Sequence, residues 1–367
     1  MYLWEKFFRL RKFVRYLIFI VNILVAFALL TCYLAPRIDP RLFWPGSVMG
    51  LAYPALMILN GGFVVFWLFF RWRYSLVSLG LILAGIPVHT TFYQHPTQQA
   101  APNSSSIKVL TYNVYHFYSY LEGRKKDASV LNFISEQKAQ IICLQETKLQ
   151  RKGELNPLKM KPLFPGIVHC QLAHQNPWGG PVTFSAFPIV YMGEMRFNDT
   201  QNLVIYSDID TGKDTIRVYN CHLQSFGIND DEKTILDSIS FQDHQLDEIR
   251  QVFRKLKKGY LRRAEQIDSL MKHIGECPYP VIVCGDFNDT PISYAYRQIS
   301  KRLVDSFVES GSGISRTYKE KLPPVRIDYI FHSPHFRSSG YERHTVPYSD
   351  HYPVSVYLDR VFDKEPL

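Results

Sequence analysis

The sequence predicts an α/β domain of packed β-sheets flanked by helices, preceded by three transmembrane helices. Near the N-terminus, three stretches of about 20 residues carry no acidic or basic side chain, and a helix of that length crosses a bilayer. After residue 107, short apolar runs typical of strands recur, with helical patterns between only some of them. Strands in that arrangement pack as sheets and carry their helices on the outer faces.

The three apolar stretches are Tyr16–Ala35, residues 48–70 and Tyr74–Tyr93. A cleaved signal peptide is the alternative for the first stretch, because five basic residues precede Tyr16. Its apolar run is longer than the core of a signal peptide, and two further stretches follow. We therefore expect residues 1–93 to form a membrane region with three transmembrane helices.

The charge of the chain is concentrated in this region. Residues 1–100 hold nine Lys and Arg against Glu5 and Asp39, and so contribute +7 of the net charge of +9. Basic residues near span ends accumulate on the cytoplasmic side, which places the N-terminus and the Arg71–Arg73 turn inside. Three crossings would carry residue 107 onward to the outside, the periplasm if the membrane is the inner membrane of a Gram-negative bacterium.

Residues 94–106 are polar, contain two prolines and lack periodicity, so they are predicted to be a linker. Residues 107–367 are predicted to form the catalytic domain. Its predicted strands are residues 107–114, 141–144, 203–209, 215–222, 281–284, 327–332 and 354–358. A helix is predicted over residues 125–138. A long segment between residues 223 and 280 resembles an insertion, and its periodicity is typical of an amphipathic helix with a solvated basic face. An arm that contacts anionic groups is the alternative.

The segment Val281–Asp289 contains the strongest local signal for a site. Four apolar residues predict a buried strand, and Gly285 then ends it so that Asp286 and Asn288 project from its carboxyl end. Open α/β folds bind their ligands at such ends. Taken alone, an ordinary Gly-Asp turn after a core strand explains the segment equally well.

Other strand ends carry polar side chains of the same kind. Asn113, Glu146 and His222 each close a predicted strand, Asp328 opens one, and Asp350 and His351 precede the last. Each residue alone is weak, because a single His or Glu beside a strand is usually structural or solvated. Together they predict one site at one edge of the sheets.

The motifs that contain these residues resemble those of the endonuclease/exonuclease/phosphatase superfamily, which includes DNase I. The resemblance covers residues 107–360 and meets six motifs in the family's order: Thr111-Tyr112-Asn113, Leu144-Gln145-Glu146-Thr147, His222-Leu223, Gly285-Asp286-Phe287-Asn288, Ile327-Asp328-Tyr329 and Ser349-Asp350-His351. It implies a four-layer α/β/β/α sandwich and hydrolysis of phosphoesters by water.

The residue types predict how such a site works. An oxygen-rich site without clustered Cys favours a hard cation, so Mg²⁺, or Mn²⁺ in its place, is expected at Glu146 with Asn113 and Asp350 close by. Zinc is disfavoured because no two ligands show its usual short spacing.

The remaining site residues are expected to carry the catalytic roles. Asp286 and His351 are both candidates for the base, and Asp328 is expected to orient His351. His222 and Asn288 are expected to donate hydrogen bonds to phosphoryl oxygens.

Three functions are compatible with these residues. The first is a membrane-anchored phosphodiesterase or phosphatase whose substrate is a phosphoester, for instance a lipid head group. The second is a nuclease, favoured by Gln145-Glu146-Thr147-Lys148 but disfavoured by the near-neutral charge after residue 100. The third is a catalytically silent binding module. No protein partner can be inferred.

Overall fold

The computed structural model describes residues 2–96, 101–117, 129–149, 155–173, 179–227, 243–319 and 325–361. The chain divides into two compact units, one of residues 1–90 with 292–294 and the other of residues 91–291 and 295–367. The first unit is helical and the second contains the β-sheets.

The helical unit begins with two long helices, α1 (Tyr2–Leu34) and α2 (Pro40–Phe70). A short 3₁₀ turn, Ala35–Arg37, separates them. Asp39 caps α2 by accepting a hydrogen bond from the Arg41 backbone N–H, and proline at the first helical position fits because it has no N–H to satisfy. A helix α3 (Trp72–Ala84) and a single turn α4 (Ile86–His89) follow.

The prediction of three spans is wrong in its count. Two helices are long and apolar enough to cross a membrane, Arg9–Arg37 and Pro40–Phe70. The third predicted stretch is divided: α3 has 13 residues and ends at Gly85, and Tyr93–Gln94 form the short strand β1. Pro87 lacks an N–H and disfavours helical backbone before it, which accounts for the interruption. By length and composition alone, two such helices are weak evidence for a membrane anchor, because a signal sequence near the N-terminus is also apolar.

Buried polar side chains join the three helices of this unit. Asn22 of α1 donates to Ser78 Oγ of α3 at 2.6 Å, and Ser78 Oγ donates to Asn60 Oδ1 of α2 at 2.8 Å. Trp67 Nε1 donates to Asn22 Oδ1 at 2.9 Å. Small and polar residues of this kind hold helices together where the surroundings are apolar. Helix α3 is therefore an integral part of the helical unit, despite its length.

The second unit contains two mixed six-stranded sheets. The first has the order β13-β14-β2-β3-β5-β4 and the second has the order β10-β12-β9-β8-β7-β6. The strands of the first sheet are β2 (Ile107–Asn113), β3 (Ile141–Thr147), β4 (His169–Leu172), β5 (Gly180–Ser185), β13 (Phe336–Arg343) and β14 (Val354–Arg360).

The strands of the second sheet are β6 (Ile189–Arg196), β7 (Leu203–Asp210), β8 (Thr215–His222), β9 (Val281–Asp286), β10 (Val304–Asp305) and β12 (Asp328–His332). Each sheet contains one parallel pair among antiparallel neighbours, β2 with β3 and β8 with β9. Strand β1 pairs separately with β11 (Gly313–Ile314).

The two sheets pack face to face. Side chains that alternate along the strands, such as Val109 and Cys143 of the first sheet and Val218 and Cys284 of the second, form the core between them. On the outer face of the first sheet, Tyr112 and Leu144 pack against helix α5 (Ser129–Glu136). The predicted helix begins earlier, at residue 125, and its first residues lie outside the described part of the chain.

A long helix lies on the outer face of the second sheet. This helix, α7 (Asp243–Gly275), contacts β8 where Tyr219 and the His273 ring are joined by a 2.7 Å hydrogen bond. The remaining helices are short: α6 (Pro157–Met160), α8 (Tyr294–Ser300) and α9 (Ser306–Ser310). The order of layers is therefore helix, sheet, sheet, helix.

All seven predicted strands are present, within a few residues of their predicted bounds. Seven strands were not predicted: the longer strands β4, β5, β6 and β13, and the two-residue strands β1, β10 and β11. Strand β6 is an edge strand that exposes Val190, Tyr191 and Met192, so it lacks the alternation of a half-buried strand. Strand β5 is buried on both faces, but its short run Gly180-Pro181-Val182 begins with two residues that rarely begin a recognisable strand pattern.

Candidate active site

The carboxyl ends of the two parallel strand pairs meet at one edge of the packed sheets. Asn113 ends β2, Glu146 is the penultimate residue of β3, and His222 and Asp286 end β8 and β9. In the second sheet His222 lies directly opposite Asp286, and Asp286 lies opposite Asp328 on its other side. Parallel pairing thus aligns His222 with Asp286, which are 64 residues apart in sequence.

Local backbone conformation directs two of these carboxylates into the site. Glu146 has a φ of +52°, at a point where the register between β3 and β5 shifts. A bulge of this kind turns a side chain away from the regular pleat. Gly285 has a φ of +131°, and a Cβ there would lie 2.0 Å from the Cys221 carbonyl oxygen. Glycine therefore allows β9 to approach β8 closely just before Asp286.

A buried amide pair holds the two sheets together behind the site. Gln145 Nε2 donates to Asn220 Oδ1 at 2.7 Å, and Asn220 Nδ2 donates to the Val182 carbonyl at 2.9 Å. Gln145 precedes Glu146, and Asn220 lies two residues before His222. The pair links the strands that carry these two side chains, because a buried amide must find its partners within the protein.

Glu146, His222 and Asp286 form the first of two clusters. Their ligand atoms all lie within 4.8 Å of one another, with His222 Nε2 at 3.5 Å from Glu146 Oε1 and 3.9 Å from Asp286 Oδ2. Asn113 Nδ2 donates to Glu146 Oε1 at 3.1 Å and to Asp286 Oδ2 at 3.0 Å. Its Oδ1 accepts from the Tyr115 N–H, so in this arrangement Asn113 orients both carboxylates.

The second cluster consists of Asp286, Asp328 and His351. His351 Nδ1 lies 2.9 Å from Asp328 Oδ2, and His351 Nε2 lies 3.8 Å from Asp286 Oδ2. The imidazole is thus held on one side by Asp328 and directed with its other nitrogen toward Asp286. Ser349 fixes the segment, since its Oγ donates to the Asn113 carbonyl at 2.7 Å and accepts from the His351 N–H at 3.1 Å.

Two predicted residues are placed differently from the others. Asn288 Nδ2 donates to the Leu223 carbonyl at 2.9 Å and to Asp286 Oδ2 at 3.2 Å, so its amide is engaged with the protein. Asp350, predicted as a metal ligand, belongs to neither cluster, and its Oδ1 accepts from Ser349 Oγ at 3.1 Å.

Burial and neighbouring charges shift the pKa values of the site residues in different directions. Burial raises the pKa of Asp286 to about 6, although His351 opposes the shift. Burial alone would raise the pKa of Glu146 as well, but His222 and the hydrogen bond from Asn113 hold it below its usual value. Burial would lower the pKa of His351, but Asp328, Asp286 and Asp350 keep it well above its usual value. Asp286 is therefore more basic than an ordinary aspartate, and it lies beside an imidazole whose protonated form is favoured by neighbouring carboxylates.

The first cluster combines carboxylates that fit a divalent cation with an imidazole that can contact an anion. His222 Nε2 is buried without a hydrogen-bond partner among the described residues, and it faces two carboxylates. Asp350 contributes negative charge nearby: burial raises its pKa, and the charge of Glu146 raises it further. A cation would relieve the repulsion between these carboxylates.

The sequence analysis missed His116. Its Nε2 lies 3.8 Å from Glu146 Oε2, and its backbone has a φ of +58° in the turn after β2. The one signal in the sequence was the position of a histidine three residues after Asn113. His116, Glu146 and His222 line a cleft of about 260 Å³, together with Gly179, Gly180, Pro181, Gln201, Asn202 and Ser225.

Comparison with known proteins agrees with this geometry. A family model described as Endonuclease/Exonuclease/phosphatase family matches residues 110–351, which is more than half of the chain. The chain therefore belongs to the endonuclease/exonuclease/phosphatase family, as its motifs predicted. Members of the family are metal-dependent phosphoesterases. A second model, described as Domain of unknown function (DUF8431), matches residues 15–92.

Solved structures support the fold. An endonuclease/exonuclease/phosphatase from Beutenbergia cavernae matches with a TM-score of 0.51 and 18% identity, over 70% of this chain and 72% of that chain. A protein of the same description from Bacteroides vulgatus matches with a TM-score of 0.49 and 17% identity, over 70% and 99% of the two chains. At 18% identity the first likeness supports the fold alone. No curated protein matches the chain in sequence.

Proposed function

We propose that this protein is a membrane-anchored, Mg²⁺-dependent hydrolase of phosphoesters. The observation that carries the proposal is the convergence of Glu146, His222 and Asp286, whose ligand atoms lie within 4.8 Å of one another. A buried imidazole nitrogen and two carboxylates directed at one point suit a cation and an anionic substrate. A purely structural cluster would have satisfied the His222 nitrogen internally.

The metal would be held chiefly by Glu146. Oxygen ligands favour Mg²⁺ or Mn²⁺, and a bound cation of this type neutralises charge on the phosphoryl group and the leaving oxygen. Asp350 is proposed as the second carboxylate, since the charge of Glu146 contributes to its raised pKa. Asn113 is proposed to orient Glu146 for the metal by its 3.1 Å hydrogen bond to Glu146 Oε1.

Asp286 is the better of the two candidates for the base. With a pKa of about 6 it is ionised at neutral pH and is basic enough to accept a proton from water. His351 has a raised pKa and is protonated under the same conditions. We therefore assign His351 to stabilising negative charge on the phosphoryl group, with Asp328 holding its orientation through the 2.9 Å contact.

His222 and Asn288 were both expected to contact phosphoryl oxygens. The geometry favours His222, whose Nε2 faces the site without a partner among the described residues. Asn288 uses its amide to hold the Leu223 carbonyl and Asp286, so a contribution through the position of Asp286 is better supported. Donation from Asn288 to the substrate stays a prediction.

Attachment to a membrane is supported by the exposure of the two long apolar helices. Only 28% and 17% of their most apolar segments are buried, so neither is the core helix of a soluble domain. The extracytoplasmic location required three crossings. Two crossings would return residue 107 to the side of the N-terminus, so that location has lost its support.

We propose a lipid phosphoester at the bilayer surface as the substrate class, with nucleic acid second. The segment after residue 100 contributes only +2 of the net charge of +9, whereas tight binding of duplex DNA draws on several cationic contacts. A membrane anchor would hold the active site within a short distance of lipid head groups.

The test uses the full chain purified in detergent. Hydrolysis of bis-p-nitrophenyl phosphate is measured with Mg²⁺, with Mn²⁺ and with EDTA, and then the same protein is assayed on lipid phosphoesters, inositol phosphates, and single- and double-stranded DNA. Turnover that requires the metal and is highest on lipid substrates supports the proposal. Turnover only on DNA would make the protein a nuclease, and no metal-dependent turnover on any substrate would favour a binding module.

A further inference from the structure

The long helix α7 carries a buried arginine that faces the active-site strands. A solvated basic face was predicted for this segment, but the side chain of Arg263, one of its basic residues, is only 1% exposed. The guanidinium lies 4.2 Å from the centroid of the Phe226 ring and 4.8 Å from that of Tyr260. A guanidinium removed from water needs compensating partners, so its contacts indicate what it does.

Arg263 contacts two segments that follow active-site strands. Its Nε donates to Asp289 Oδ2 at 3.1 Å, and its Nη1 donates to the Gln224 carbonyl at 2.7 Å. Gln224 lies two residues after His222, and Asp289 lies three residues after Asp286. One turn along the helix, Gln266 accepts from the Gln224 N–H at 2.9 Å.

The segment after β8 and the segment after β9 are also hydrogen-bonded directly to each other. The Leu223 N–H donates to the Asp286 carbonyl at 2.9 Å, and Asn288 Nδ2 returns a bond to the Leu223 carbonyl. Asn288 has a φ of +52°, a left-handed conformation that asparagine adopts more readily than most residues other than glycine. The ion pair of Asp289 with Arg263 fixes the residue that follows.

We propose that Arg263 is a positioning residue of the active site. By holding Asp289 and the Gln224 carbonyl at once, it sets the separation between the His222 imidazole and the Asp286 carboxylate, now 3.9 Å. The kinetic consequence rests on the proposed hydrolase function, whereas the contacts of Arg263 with Asp289 and the Gln224 carbonyl are a property of the folded chain. A helix outside the six motifs thereby controls the geometry of two of them.

Arg263→Lys is the informative substitution. Lysine retains the charge that pairs with Asp289, but one ammonium group cannot replace the planar fork that also holds the Gln224 carbonyl. Arg217→Lys is the matched control, since Arg217 is held by Asp208 through two bonds of 2.5 and 2.7 Å and lies over the Tyr206 ring. Arg217 is on β8, five residues from His222.

The full chain is assayed with Mg²⁺ and bis-p-nitrophenyl phosphate, with rates expressed per folded molecule. We expect Arg263→Lys to lower kcat by about ten- to a hundredfold while KM changes less than about threefold, because displaced groups lose transition-state contacts. Arg217→Lys should keep kcat within about twofold. When Asn288→Ala is already present, adding Arg263→Lys should lower kcat by less than about threefold. The hydrogen bonds of Asn288 to the Leu223 carbonyl and to Asp286 are then already lost.

Hydrogen exchange gives a readout that does not depend on catalysis. Arg263→Lys should speed exchange of backbone amides in residues 223–227 and 285–290, and Arg217→Lys should leave those segments unchanged. Parental kcat and parental exchange in Arg263→Lys would overturn the proposal, and so would an equal loss of kcat in both backgrounds. If the parent protein shows no turnover, the proposed function fails. The exchange data alone then decide whether Arg263 holds the two segments in place.

Discussion

At the scale of single residues, His351 has the most defined surroundings in the site. Its Nδ1 contacts Asp328 at 2.9 Å and its Nε2 is directed at Asp286. His351→Ala should lower kcat at least about a hundredfold while the fold is retained, because the charge that it supplies is lost. Kinetics and thermal unfolding of the full chain measure both effects.

His344→Ala is the control, because His344 is also buried but its Nε2 bonds to Ser355 Oγ, and His344 belongs to neither cluster. Asp328→Asn should be milder than His351→Ala if Asp328 only orients the imidazole. Near-parental rates in His351→Ala would contradict the assigned role. A greater loss in Asp328→Asn would mean that the carboxylate acts directly.

The acidity of Asp286 predicts the pH dependence. Its pKa is raised to about 6 by burial, and as a base it acts only when ionised. The rate should therefore be full at neutral pH and fall about tenfold per unit below the pKa. A nearby cation lowers a carboxyl pKa, so the acidic limb should lie at or below about pH 6. A limb centred above pH 7 in the pH profile of kcat would contradict the assignment.

The residue types of the site could be predicted from the sequence because each lies beside an apolar run that identifies a strand. Glu146, His222 and Asp286 were found in this way. His116 and Arg263 were missed for different reasons: His116 lies in an irregular turn, and Arg263 belongs to a basic segment that is typical of a solvated helix face. Its burial depends on Asp289 and Phe226, which are distant in sequence and are brought together only by the fold.

At the scale of secondary-structure elements, the approach of β8 and β9 determines whether the site forms. Gly285→Ala would place a Cβ 2.0 Å from the Cys221 carbonyl oxygen, at a φ of +131°. We expect a loss of at least about 3 kcal/mol in the free energy of unfolding. Gly212→Ala is the control, because its φ of +80° is also positive but nothing lies within 4 Å of its added Cβ.

Gly212→Ala should cost only about 1 kcal/mol, the price of a left-handed backbone alone. Denaturant unfolding of both variants gives the comparison. Equal losses would mean that backbone conformation, and not the contact between the strands, explains the need for glycine at position 285.

Strands with a distinct hydrophobic pattern could be predicted from the sequence, whereas elements whose bounds depend on neighbouring residues or strands could not. Of the four parallel strands, β3 and β9 begin with continuous apolar runs, whereas β2 and β8 mix apolar and polar side chains, and all four were predicted. The edge strand β6 exposes apolar side chains, and the strand β13 pairs only with β14, so neither shows a distinctive period. The third apolar stretch was misjudged because composition gives its length, whereas Gly85 and Pro87 decide where the helix ends.

At the scale of the whole molecule, the account predicts a chain retained by the membrane. Two exposed apolar helices should keep the protein in the membrane pellet after alkaline carbonate extraction, and detergent should release it. Release by carbonate alone would contradict anchoring. Fusions of alkaline phosphatase and of green fluorescent protein after Ser106 then show on which side of the membrane the second unit lies. Phosphatase activity would place it outside, which requires three crossings, and fluorescence would place it inside, which requires two.

The central claim is that Glu146 holds a divalent cation that hydrolysis requires. The direct measurement is the rate of bis-p-nitrophenyl phosphate hydrolysis against Mg²⁺ concentration, for the parent protein and for Glu146→Gln. Glu194→Gln, a change in an exposed ion pair with Arg196, is the control. We predict saturable activation of the parent and of the control, and a loss of at least about a hundredfold in Glu146→Gln at any Mg²⁺ concentration. Metal-independent turnover, or parental activation of Glu146→Gln, would contradict the account.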